Sequence, residues 1–67
     1  MKDIEEVLDI IAISHIDEYL ALKDSSMWDY YIAGLSYGVY VSIANTDSLT
    51  IENIKLKIET KILILIN

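Results

Sequence analysis

Apolar residues return along this chain every three or four positions, in three stretches separated by short polar breaks. In the first, from about Asp3 to Lys23, Ile4, Val7, Leu8, Ile11, His15, Tyr19 and Leu22 fall on one face of a 3.6-residue period. Asp3, Glu5 and Glu6 open it, where carboxylates are favoured by the positive end of the helix dipole. The second stretch, about 27 to 44, carries Trp28, Ile32, Leu35, Val39 and Ile43 at helical spacing. Ser26, with Asp29 three residues on, resembles a capping box at its start, with Asp in place of Glu. In the break Asn45-Thr46-Asp47-Ser48, Asn45 tolerates the left-handed conformation that closes helices. The third stretch, about 50 to 65, places Ile51, Ile54, Ile58, Ile62 and Leu65 on one stripe, with Thr50 as cap and Leu49 and Ile54 as a hydrophobic staple.

Strand readings compete at two places. Val39 to Ile43 is rich in residues that favour strands, and Ile54 to Ile58 alternates apolar with polar. The caps and the longer stripes favour helix in both. The run Thr50-Ile-Glu-Asn-Ile-Lys-Leu-Lys-Ile-Glu-Thr-Lys61 also resembles the segment that opens the main helix of ubiquitin. That likeness covers twelve residues and concerns local conformation; the flanking strands of a ubiquitin fold are missing, so none of that family's function is implied. Short breaks make neighbouring helices antiparallel. The expected architecture is therefore all-α, a single domain over 1–67 with an up-down-up three-helix arrangement.

Two of the stretches are apolar on more than one side. Ile13, Ile16 and Leu20 lie opposite the main stripe of the first helix, and Leu56 and Leu63 lie off the Ile54, Ile58, Ile62 line of the third. A helix apolar on two sides must be covered on both, so these five residues are expected to mediate self-association, with a homodimer the simplest product. Gly34 and Gly38, four apart, with Ala33 and Ala44, would let another helix approach the second one closely. Tyr30 to Ala44 is uncharged but, at fifteen residues, falls short of the ~20 that span a membrane and includes Ser36 and Ser42, so a tightly packed helix is expected there.

Composition sharpens this picture. A chain of 67 residues is near the lower limit for a self-sufficient core, and 54% apolar residues exceed the roughly 45–50% of ordinary soluble domains. With no cysteine there are no disulfides or thiolate metal sites, and the lone His15 argues against an all-protein zinc site. No metal or other cofactor is expected. Oligomerisation is the remaining source of extra stability. The acidic amino terminus lacks the pattern of a secretory signal, so a cytoplasmic location is expected.

The five basic residues are all lysine, against eleven acids, for a net charge of −6, a sign that disfavours direct nucleic-acid binding. The whole imbalance lies in residues 1–29. Asp3, Glu5, Glu6 and Asp9 form an acidic face suited to a basic surface on a larger protein partner. Trp28, Tyr30, Tyr31 and Tyr37 supply amphipathic rings of the kind enriched at interface hot spots, joined by Tyr40 on the same helix. His15, with Glu18 three residues on, has no nucleophile or second base to form a triad, and a buried, hydrogen-bonded role is expected for it. These features point away from an enzyme and toward an inhibitor or adaptor that binds stoichiometrically, a description that phage-type inhibitors of host nucleases or defence systems fit. A structural self-assembling subunit is the alternative.

Overall fold

The computed structural model describes residues 3–43 and 49–67, and most of them are helical. α1 spans Ile4–Ser14, α2 Ile16–Leu22, α3 Ser26–Ile43 and α4 Ile51–Ile66, with no strand among the described residues. Both segments open to a strand reading are helical. The break Asn45-Thr46-Asp47-Ser48, and with it Ala44, lies outside the described residues.

Local chemistry sets the ends. Asp3 caps α1, its side chain accepting from the Glu5 N–H at 3.4 Å. α4 opens on a reciprocal box in which Thr50 Oγ1 accepts from the Asn53 N–H at 3.1 Å and Asn53 Oδ1 accepts from the Thr50 N–H at 3.4 Å. α3 is capped one residue earlier than the sequence suggests: Ser25, not Ser26, accepts from the Met27 N–H at 3.0 Å, so Ser26 is already helical.

The expected single rod from Asp3 to Lys23 is divided at His15. Its backbone, at φ −122° and ψ 19°, leaves the helical region, and its N–H donates to the Ala12 carbonyl at 3.3 Å. Its carbonyl accepts from the Tyr19 N–H at 3.1 Å, so α2 starts at once. The His15 ring provides the reason, because Nδ1 meets the Tyr31 hydroxyl at 2.6 Å and ties the bend to α3.

α4 is the middle rod. It packs against α1 on one side and α3 on the other, α1 and α3 do not pack on each other, and α2 reaches both α3 and α4. Three isoleucines one turn apart, Ile54, Ile58 and Ile62, are fully buried and form the spine of the core. Leu8 and Ala12 meet them from α1, and Trp28, Ile32 and Val39 from α3. Ser36 is buried on the same α3 stripe, its hydroxyl satisfied by donating to the Ile32 carbonyl at 2.8 Å. Glu5 and Asp9 of α1 meet Lys57 and Lys61 of α4 at a constant separation of 52 residues, so these two helices run in the same sense. The whole measures 33 × 22 × 14 Å, a shallow arrangement whose outer faces are left to solvent.

Candidate interaction surface

An aromatic and polar cluster lies where α2 crosses α3. Trp28, only 4% exposed, stacks on Tyr31 at a centroid distance of 5.7 Å and meets Tyr19 edge-on at 5.1 Å. Its Nε1 donates to Glu59 Oε2 of α4 at 2.9 Å. Burial, and secondarily the charge of Glu18, raises the Tyr31 hydroxyl above its ordinary pKa. The buried Glu18 Oε2 has no hydrogen-bond partner among the described residues. Of the four aromatic residues expected at an interface, Trp28 is thus a core residue and Tyr31 is half-buried against His15. The stripe that carries Trp28 also carries Ile32 and Val39, and burial of that stripe takes the indole inside. Tyr30 and Tyr37 point outward, Tyr30 at 77% exposed.

The acidic face is divided by ion pairs. Lys61 bridges Asp9 at 2.7 Å and Glu5 at 3.1 Å, and Lys57 adds a contact to Glu5 at 3.5 Å. The hydrogen bond from Lys61, helped by the charge of Lys57, lowers the Glu5 pKa from its ordinary value, while hydrogen bonds to Asp9 and Glu5 raise that of Lys61. Glu5 and Asp9 are therefore occupied within the fold. Asp3 serves as the α1 cap, and Glu6 is exposed with no ion pair among the described residues. A continuous four-carboxylate face does not form, because α4 brings its lysines to the α1 side that carries Glu5 and Asp9.

Apolar side chains fill much of the remaining surface. Ile13 is 59% exposed, Leu20, Leu56 and Leu63 are exposed to similar degrees, and Ile16 is half-buried. A groove of about 350 Å³ between α1 and α4 is lined by Asp9, Ile13, Lys61, Ile64 and Leu65. Lys61 and Ile64 also line an adjoining hollow of about 280 Å³ with Glu5, Leu56, Lys57 and Thr60. The structure thus brings Ile13 and Leu56 to neighbouring parts of one furrow, with Leu20 and Leu63 exposed outside its lining.

No protein-family model matches this chain, and no curated protein or solved structure is similar to it. Its surfaces must therefore be read from their own chemistry. Among the described residues no group of three or more His, Asp or Glu side chains is placed to hold a metal ion, and no helix is long and apolar enough to cross a membrane.

Several surface residues escaped the sequence reading. Ile64, 68% exposed, lines both hollows of the furrow, and Ile10, Met27 and Val41 are also exposed. Met27 and Val41 lie seven residues either side of Gly34, a spacing that was present in the sequence beneath the stronger Trp28 to Val39 stripe. Leu65 and Ile51, at the ends of the α4 stripe, are exposed because the stripe outruns the helices that cover it.

Proposed function

We propose that this chain is a non-catalytic interaction module that acts by stoichiometric association, with a second copy of itself and with a larger protein that it inhibits or adapts. The observation that carries this reading is the amount of large apolar surface left uncovered on α1, α3 and α4 at once. A small monomer that exposes isolated apolar residues is ordinary, but contiguous exposed patches mark binding surfaces. On this reading the rods form an up-down-up layer, open on its outer sides and completed by association. The furrow with Ile13, Leu56 and Ile64 accepts the apolar side chains of a partner, and its paired Lys61, Asp9 and Glu5 supply a polar rim. Glu6, Asp17 and Asp29, exposed on α1, α2 and α3, are the carboxylates left to meet a basic partner, fewer on α1 than the sequence alone suggests.

Sedimentation over a concentration series tests the reading, with Ile13→Ser and Leu56→Ser as variants. Concentration-dependent association of the parent supports it, weakening in the variants assigns the contact to the furrow, and a parent chain that stays monomeric at high micromolar concentration overturns it. Capture of partners at two salt concentrations tests the acidic contribution, since screening weakens it over the ~10 Å Debye length at 0.1 M. Binding that is indifferent to salt leaves the apolar furrow as the sole determinant. A second reading, a subunit of a larger homomeric assembly, is favoured by the presence of exposed apolar residues on more than one face, and a sedimenting species well above a dimer would establish it.

A further inference from the structure

The side of α3 turned away from the core carries Met27, Tyr30, Gly34, Tyr37 and Val41, all exposed, at alternating spacings of three and four. That is the a/d spacing of a helix that packs along another helix. No described residue occupies the gap at its centre: a Cβ built on Gly34 or Gly38 meets nothing within 4 Å among the described residues, and neither glycine adopts a positive φ. A glycine inside a helix is less favourable than alanine there, and no contact among the described residues offsets that cost at either position.

Part of the pattern is symmetric about Gly34. Met27 and Val41 lie seven residues either side of Gly34, and Tyr30 and Gly38 lie four residues either side. An antiparallel pair related by a two-fold axis at Gly34 therefore places each Tyr30 over the Gly38 of the other copy, each Met27 against Val41, and each Tyr37 beside the outer edge of Tyr31, whose hydroxyl stays on His15. The positions flanking the stripe, Tyr31, Ala33, Gly38 and Tyr40, are uncharged, as is all of α3 from Tyr30 to Ile43. Two chains of net charge −6 meet there without like charges in opposition. The exposed parts of Met27, Tyr30, Tyr37 and Val41 amount to on the order of 500 Å² per protomer, taking about 200 Å² for a whole aromatic side chain, against about 800 Å² in a standard interface. An interface of that size lies at the small end, where association is weak and reversible.

We propose that two copies of this chain pair antiparallel along the outer face of α3, with Tyr30 seated in the gap over Gly38. The proposal rests on the association reading above and assigns self-association to α3 rather than to the α1–α4 furrow, so Ile13→Ser and Leu56→Ser should leave the dimer intact. The chain has no cysteine, which makes single-cysteine variants clean reporters. At interaxial distances of about 8–10 Å and a Cα radius of about 2.3 Å, facing Cα atoms fall about 3.4–5.4 Å apart, overlapping the ~4.4–6.8 Å window for a disulfide. Oxidation of Gly34→Cys should give a covalent dimer at least tenfold faster than Ile13→Cys on α1. A mixture of Met27→Cys with Val41→Cys should give the mixed dimer in preference to either homodimer, which a parallel pair would not. Gly38→Leu should weaken association at least tenfold in sedimentation while its unfolding midpoint at low concentration stays equal to or above that of the parent. If Ile13→Cys cross-links and Gly34→Cys does not, the α3 interface is wrong while association through another face stands. If no variant cross-links and the parent sediments as a monomer at high micromolar concentration, both fail.

Discussion

Trp28→Phe isolates the contact that ties α3 to α4. The substitution keeps an aromatic ring for the stack on Tyr31 and the edge contact with Tyr19, but removes the indole N–H that donates to Glu59 at 2.9 Å. Hydrogen bonds to charged groups contribute about 1.5–3 kcal/mol, and the loss leaves a half-buried carboxylate without that donor. The smaller ring adds a void in a site 4% exposed, at roughly 0.8 kcal/mol per methylene-sized group lost. The expected cost is about 2–4 kcal/mol. At about 0.05–0.15 kcal/mol per residue, a chain of 67 residues holds roughly 3–10 kcal/mol in all, so the variant sits near the edge of folding. Urea unfolding followed by circular dichroism, at one fixed protein concentration, measures the difference. Glu59→Gln keeps an acceptor oxygen and should cost less than about 1 kcal/mol, and the double variant should lose less than the sum of the two. A Trp28→Phe protein within 0.5 kcal/mol of the parent would refute the assignment of this bond as a stabilising tie, an effect well below the range just derived.

Ile58 is fully buried in the middle of the α4 spine, so Ile58→Val should lower unfolding free energy by about 0.5–1.5 kcal/mol and Ile58→Ala by about 2–5 kcal/mol, measured in the same denaturation series. Thr50→Ala removes the hydroxyl that accepts from Asn53 and should cost about 0.5–2 kcal/mol; an unchanged midpoint would mean that the box adds nothing to the helix start. The folded-state pKa of Glu5 lies below its ordinary 4.5, so its pairs with Lys61 and Lys57 contribute stability above that pH, and the contribution is lost as the pH falls through the lowered value. Glu5→Gln should flatten the acid limb of a plot of unfolding midpoint against pH. In 1 M salt the parent and the variant should converge.

Helical periodicity made the fold class legible, and the caps at Asp3 and Thr50 could be placed from residue type alone. The division at His15 could not be seen, because the apolar spacing from Ile11 through His15 to Tyr19 runs unbroken across it. What turns the chain there is a partner sixteen residues away, Tyr31, and no local rule reports such a contact. The pairing of Glu5 and Asp9 with Lys57 and Lys61 is hidden for the same reason, at a separation of 52 residues. The exposure of Ile13, Leu20, Leu56 and Leu63 was readable, since each falls off a stronger stripe on its own helix. Residue type alone marks Trp28 as an interface anchor, whereas its place at the head of the Ile32 and Val39 stripe accounts for its burial.

The central position of α4 has a consequence for synthesis. Because α1 and α3 make no packing contact, a nascent chain that has exposed only its first three helices has no spine around which to collapse. Leu8, Ile32 and Val39 wait uncovered until the three isoleucines of α4 clear the ribosome. The aromatic cluster between α2 and α3 needs no α4, but the shared core closes only around it, so a chain cut short before Ile54 should leave Leu8, Ile32 and Val39 exposed.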